Sequence, residues 1–133
     1  SVLAHDIETG IKIWSYNAGQ PVLATPAATD SYLFVVAKDH LKVLDQKDGS
    51  LVYDGGAPRH FRLPGQTFAS PAVTQNRVYI STSAMMTFSH DLSTRSQDTN
   101  FRGNGLASIA LGNNGAIYAV AADGRIHKYP GPK

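Results

Sequence analysis

A hairpin-like segment that occurs twice constrains this chain more than any other feature. Ala4-His5-Asp6-Ile7-Glu8-Thr9-Gly10-Ile11-Lys12-Ile13-Trp14 reads as strand, tight turn and strand. Val43-Leu44-Asp45-Gln46-Lys47-Asp48-Gly49-Ser50-Leu51-Val52-Tyr53 keeps the aspartate, the turn glycine and the large aromatic at the same spacing. The two turn glycines lie 49 − 10 = 39 residues apart. Glycine supplies the positive φ that such a turn demands. A unit recurring at this interval implies that one supersecondary element is built repeatedly, each copy covering the next.

The intervening residues repeat as well. Tyr32–Ala37, Arg77–Thr82 and Ala116–Ala121 are runs of strand formers without a polar alternation, as expected of strands buried on both faces. Their aromatics Phe34, Tyr79 and Tyr118 are separated by 79 − 34 = 45 and 118 − 79 = 39 residues. Two small-residue segments with a central proline, Ala24-Thr25-Pro26-Ala27-Ala28 and Ala69-Ser70-Pro71-Ala72-Val73, precede the first two runs. Four short strands in about 40 residues is the pattern of a β-propeller blade. The expected fold is therefore all-β, with four-stranded antiparallel blades in an incomplete ring. The blades divide into the last two strands of one at about 2–17, whole blades at about 22–56 and 67–98, and the first three strands of another at about 105–129. An arc of this kind leaves an apolar sheet face uncovered at each end. The remaining blades of a longer propeller, a second copy or another subunit are expected to cover them.

Composition narrows the function classes. Hydrophobic residues make up 42% and charged residues 17% of the 133 residues, which suits a packed core rather than a disordered chain. The formal charge is only +2 and no run of Lys or Arg forms a patch, so nucleic acid is not an expected partner. There is no cysteine, hence no disulfide framework and no thiolate metal site. No apolar stretch approaches the ~18 residues of a membrane span.

The first hairpin resembles the tryptophan-docking motif of the PQQ-like (quinoprotein) propeller repeat. Ala4, Asp6, Thr9, Gly10 and Trp14 all match it. The second copy retains Asp45 and Gly49 but has Val43, Asp48 and Tyr53 at the other motif positions. The resemblance implies that Trp14 packs on the neighbouring blade, although an indole can also stack on a sugar or a quinone. Quinoprotein dehydrogenases of this family hold their quinone and calcium on the axis of an eight-bladed ring and use an adjacent cysteine pair, which is missing here. Many other members bind no quinone. The resemblance thus implies a non-catalytic scaffold or a protein- or ligand-binding module, without a cofactor of its own. The alternative is the C-terminal portion of a quinoprotein dehydrogenase whose catalytic residues lie outside this chain. A sugar-binding propeller is a further reading. A periplasmic or extracellular setting is expected.

No catalytic constellation stands out. His5, His40, His60, His90 and His127 lack metal-ligand spacing. The His5-Asp6 and His90-Asp91 neighbours point to opposite strand faces and make poor dyads. Ser81, Ser83 and Ser89 have no nucleophile-elbow context, and Gly103-Asn104-Gly105 lacks the third glycine of a dinucleotide loop. Asp6 and Asp45 sit where a carboxylate accepts turn amides. Arg59-His60-Phe61-Arg62, between Pro58 and Pro64, is the densest basic-aromatic cluster. It is expected to form a loop between blades and is the candidate partner-binding loop. The polar stretch Ser93–Arg102 is expected to be a loop or a poor edge strand.

Overall fold

The computed structural model describes residues 1–54, 57–58, 60–63, 65–75, 77–82, 86–91, 97–102, 109–113, 115–120 and 124–129. Among these residues every regular element is a β-strand. The first sheet pairs β1 (Val2–His5) with β2 (Lys12–Tyr16) across the Gly10 turn. β3 (Ala27–Ala28), β4 (Tyr32–Ala37) and β5 (His40–Asp45) form the next sheet. After β6 (Tyr53–Asp54) and β7 (Ala57–Pro58), which pair only with each other, β8 (His60–Arg62) completes that sheet in the order β3-β4-β5-β8. β9 (Ala72–Val73), β10 (Arg77–Ser81), β11 (Met86–Asp91) and β12 (Gln97–Arg102) make the third sheet, again in chain order. β13 (Ala110–Leu111), β14 (Ile117–Val120) and β15 (Ile126–Tyr129) make the fourth. All pairings are antiparallel.

Register confirms that the repeat aromatics are equivalent. Phe34, Tyr79 and Tyr118 each sit opposite an alanine of the preceding short strand, Ala27, Ala72 and Ala110. Likewise Tyr32 pairs with Asp45 and Arg77 with Asp91, so Asp91 occupies the aspartate position of its blade. The first strands pair over only two residues each, shorter than their apolar runs. Pro26 and Pro71 stand immediately before β3 and β9 and have no N–H to extend a ladder.

Among the described residues the sheets stack face to face and enclose three cores. Val2, Trp14 and Tyr16 pack against Leu33, Val35 and Leu44. Phe34, Val36, Leu41 and Val43 meet Val78 and Ile80. Tyr79 meets Ile109, Ile117 and Ala119. Alternation along a strand explains how one sheet serves two cores. In β4, Tyr32, Phe34 and Val36 face the third sheet, while Leu33 and Val35 face the first. In β10, Val78 and Ile80 look back and Tyr79 looks forward. Strands buried on both faces must read as continuous apolar runs, and these do. Lys42 ties the first two sheets at the margin of their core, donating to the Ala18 carbonyl at 2.8 Å with its ammonium over the Tyr16 ring.

One element departs from expectation. Residues 60–62 of the basic-aromatic cluster are not a loop between blades. His60, Phe61 and Arg62 form the outer strand β8, pairing with Lys42, Leu41 and His40. Arg59 lies outside the described residues. The stretch expected to be the outer strand, Leu51–Tyr53, supplies one bridge from Leu51 to Leu44 and a bond from the Val52 N–H to the Val43 carbonyl at 2.9 Å. The outer edge of this blade is thus shared by two chain segments with the β6–β7 hairpin between them. The polar stretch from residue 93 contains the edge strand β12. Gly115 and Gly124, either side of β14, adopt φ of 79°.

Phe34 is fully buried at the centre of the middle core. Phe34→Ala is expected to lower the unfolding free energy by about 3–5 kcal/mol, measured by urea denaturation. A loss under ~1 kcal/mol would contradict the packing described.

Candidate functional site

The two hairpin turns have the same backbone bonding. The Asp6 carbonyl accepts from the Gly10 N–H at 2.8 Å, and the Asp45 carbonyl from Gly49 at 2.9 Å. The Asp6 N–H donates to Ile11 at 2.9 Å, and that of Asp45 to Ser50 at 2.8 Å. Side chains reinforce the frame. Asp6 Oδ1 accepts from the Glu8 and Thr9 amides and from the Thr9 hydroxyl, at 2.8–3.0 Å. Those bonds from Thr9, then Glu8, hold its carboxyl below the ordinary aspartate value. In the second turn Asp45 Oδ1 accepts from the Lys47 amide, and Asp48 Oδ1 from the Ser50 hydroxyl and amide. The Ser50 bonds lower the Asp48 carboxyl in the same way. These aspartates are occupied in shaping turns.

The second turn receives Trp14. A Cβ placed on Gly49 would run into Cε3 of the Trp14 ring and lie 2.5 Å from its Cδ2, so the indole rests directly on the glycine. Its Nε1 donates to the Gln46 carbonyl at 3.0 Å. Gln46 is itself anchored, donating from its amide N–H to Ser31 at 3.0 Å and from Nε2 to Thr29 at 2.6 Å. Ala4 pairs with Trp14 in register and keeps the neighbouring strand position small. Gly49 meets two demands at once: a φ of 74° and the absence of a side chain. Gly10 has the same φ sign, at 71°, but a Cβ there would meet nothing within 4 Å. Ile7, in the place of Gln46, is 98% exposed.

Among the described residues, two clefts lie on the seam between the second and third sheets, at opposite ends of the strands. One, of about 590 Å³, is bounded by the β3–β4 turn with Thr29, Asp30 and Tyr32 and by the β9–β10 turn with Thr74 and Gln75. Both turns are closed by a threonine hydroxyl accepting from the amide three residues on, Thr29 from Tyr32 and Thr74 from Arg77. The other cleft, of about 180 Å³, is bounded by Pro21, Leu23, Lys38, Thr67 and Phe68. Neither set was singled out from sequence. The threonines preceding the central strands recur at the repeat spacing, 74 − 29 = 45, and that regularity was the available signal.

The other sequence candidates scatter. His40 Nδ1 is 2.8 Å from the Asp39 carboxylate, a neighbour in the β4–β5 turn. His127 stacks on Tyr129 with ring centres 6.2 Å apart. His5 donates from Nδ1 to the Gly10 carbonyl at 3.0 Å. Ser81 is buried in β10, and Ser83 lies outside the described residues, as do Arg95 and Gly103-Asn104-Gly105. Among the described residues, no group of three or more His, Cys, Asp or Glu is placed to hold a metal ion.

Comparison with known proteins agrees with this geometry. Residues 1–126 match the family described as outer membrane protein assembly factor BamB. Over 84 residues the chain is 34% identical to serine/threonine-protein kinase AfsK of Streptomyces griseus, spanning 58% of this chain and 10% of the kinase. The crystal structure of BamB from Moraxella catarrhalis superposes with a TM-score of 0.72 at 17% identity, covering 96% of this chain and 42% of that one. The computationally designed Ika8 protein gives a TM-score of 0.51 at 15% identity, covering 95% of this chain and 51% of that one. The chain therefore spans less than two thirds of the kinase, of BamB and of Ika8, and the solved structures establish the fold alone.

Two measurements test the turn geometry. Gly49→Ala is expected to cost more than the ~1–2 kcal/mol of a left-handed backbone position, because the methyl also displaces the indole. In a Trp14→Ala background that excess should vanish, while Gly10→Ala should show only the backbone cost in either background. Additive effects of the Gly49 and Trp14 changes in a double-mutant cycle would rule out the contact. For Asp6, the lowered carboxyl stabilises the fold above its unfolded-state value, and this is lost as pH falls through the folded-state value. The stability gap between the wild type and Asp6→Asn should accordingly close on acidification, in urea titrations from pH 7 downward.

Proposed function

The chain belongs to the PQQ-like repeat family described as outer membrane protein assembly factor BamB, and from that premise we propose that it acts as a non-catalytic scaffold and binding segment of a larger propeller. The end sheets carry this reading. At one repeat position Phe34 is fully buried, Tyr79 is 2% exposed and Tyr118, on the last sheet, is half-buried. Beyond Tyr118 the same face carries Ile126, 71% exposed. On the first sheet Leu3 and Ile13 share the face turned away from the core and are 57% and 60% exposed. These faces have the chemistry of the three that are covered. Further blades, a second copy or another subunit complete them.

Trp14 supports the same reading as a blade-to-blade dock, since its partners are a glycine and a carbonyl of the next blade rather than an open cleft. Ala4, Asp6, Thr9 and Gly10 shape the hairpin that presents it. Of the Arg59, His60, Phe61 and Arg62 cluster, His60–Arg62 lie at the outer margin of the blade, where β8 has no further strand beside it among the described residues. That position suits contact with a partner protein. The match to a small part of a long kinase supports such repeats as modules within longer chains. A periplasmic or extracellular setting fits the family description, and no helix among the described residues is long and apolar enough to cross a membrane.

Sedimentation tests the proposal. The 133-residue chain alone should self-associate, and adding the adjoining blades should abolish this. Ile13→Asp should destabilise the longer protein by more than ~1 kcal/mol, a cost typical of core rather than surface sites. A sharp-melting monomer of the short chain, with Ile13→Asp neutral in the long one, would refute it.

A further inference from the structure

The end of the sheet stack opposite the tryptophan turn carries exposed apolar residues at one fixed repeat position. Leu23 lies four residues before Ala27 and Phe68 four before Ala72, the two alanines that sit opposite Phe34 and Tyr79. Leu23 and Phe68 are 64% and 52% exposed, while the alanines that follow them, Ala24 and Ala69, are buried. Leu106 holds the same place before Ala110 in the sequence and lies outside the described residues. Two adjacent blades thus present one large apolar side chain each, with the 180 Å³ cleft between them.

Lys38 adds a charge to this cleft. Lys38, in the β4–β5 turn, lines the cleft together with Leu23. The Lys38 N–H donates to the Pro21 carbonyl at 3.0 Å, which fixes the turn there. Lys38 is the non-glycine residue held at positive φ, 58°, among those described. Such a position costs of order 1 kcal/mol and favours glycine or asparagine. Its ammonium has no ion pair among the described residues, because the adjacent Asp39 carboxylate is engaged by His40.

We propose that this cleft binds an extended segment of a partner protein, one that seats a large apolar side chain between Leu23 and Phe68 and sets a carboxylate beside Lys38. Volume argues for a peptide over a free small molecule. Small-molecule sites typically occupy ~300–1,000 Å³, whereas a cavity of about 150 Å³ holds a single benzene ring. Pro21, Leu23 and Phe68 give the cleft its apolar lining beside the neutral Gln66 and Thr67, and its charged residue is the cation Lys38, so an acidic flank is complementary and a basic flank is repelled. The inference rests on the binding-segment reading but concerns a different surface from the end faces. Sedimentation reports ring completion, and peptide selection reports the cleft, so either can fail alone.

The test uses the full-length protein on an array of acetylated Gly-x-Leu-x-Gly peptides with Asp, Glu, Ser or Lys at x. Acidic peptides should be retained about threefold over serine ones, the fold-change of an exposed charge pair. Lys38→Glu should reverse the preference toward lysine. The Leu23→Ser/Phe68→Ser double variant should weaken all binding about tenfold, as loss of one buried apolar contact requires. Ile7→Ser, removing an exposed apolar residue at the other end of the strands, should change nothing. The proposal falls if acidic and basic peptides are retained equally, if Lys38→Glu keeps the acidic preference, or if the double variant binds as the wild type does. Circular dichroism melts of each variant identify any that fail to fold. For those, Leu23→Gln and Phe68→Gln made singly give the same readout.

Discussion

A β-sheet that is apolar on both faces has no stable existence by itself. β4 shows the constraint most plainly. Its six residues contain no charged group and no solvent-facing alternation, and its last four are buried. The backbone polar groups of such a strand are satisfied within the sheet, but its side chains need a covering sheet on each side. Stability is therefore a property of neighbouring pairs of blades, as in other repeat proteins, where each unit contributes little without the interface beside it. The three cores described are three such interfaces.

Trp14 and Gly49 add direction to that stacking. Apolar burial is non-directional and allows sheets to slide or rotate over one another at small cost. An indole that must lie on a bare glycine while its N–H meets one carbonyl 32 residues away permits a single placement. The hydrogen bond sets the rotation of the ring about its contact with Gly49, because the N–H must face the Gln46 carbonyl. Gln46 links that contact to the β3–β4 turn through Thr29 and Ser31, so the indole is tied to two turns of the receiving blade.

Legibility in sequence followed burial. β4, β10 and β14 were plain because strands covered on both faces leave long apolar runs, and the turn glycines were plain because positive φ leaves few substitutes. The outer strands were poorly marked. One face of such a strand meets solvent, so its composition converges on that of loops. Arg59-His60-Phe61-Arg62 between two prolines is the clearest case, since nothing local distinguishes an outer strand there from a connection. Leu51–Tyr53 misled for the converse reason: the hairpin motif persists in its residues while the chain leaves the sheet after one bridge. The match of Ala4, Asp6, Thr9, Gly10 and Trp14 identified a turn and its aromatic, but the receiving surface at Gln46 and Gly49 lies on another blade and could be located only in three dimensions. Leu23 and Phe68 were hidden in the small-residue-proline segments, and their equivalence became visible only when the ladders aligned Ala27 with Ala72.

The two ends of the strands have diverged in chemistry for a structural reason. At the tryptophan end, hairpin turns must close tightly, and they recruit Asp6, Thr9, Asp45, Asp48, Thr29 and Thr74 to satisfy turn amides. Their polar atoms are thereby committed to the chain itself. At the opposite end the chain crosses from one blade to the next, and the proline-containing segments Pro21–Pro26 and Thr67–Pro71 form few ladder bonds. Thr67 closes its own turn there by accepting from the Ala69 amide at 2.9 Å, whereas Leu23 and Phe68 have no polar side-chain atom to commit and stand exposed. A propeller whose stacking is held at one end by Trp14 on Gly49 can acquire a partner on exposed apolar side chains at the other, as Leu23 and Phe68 offer.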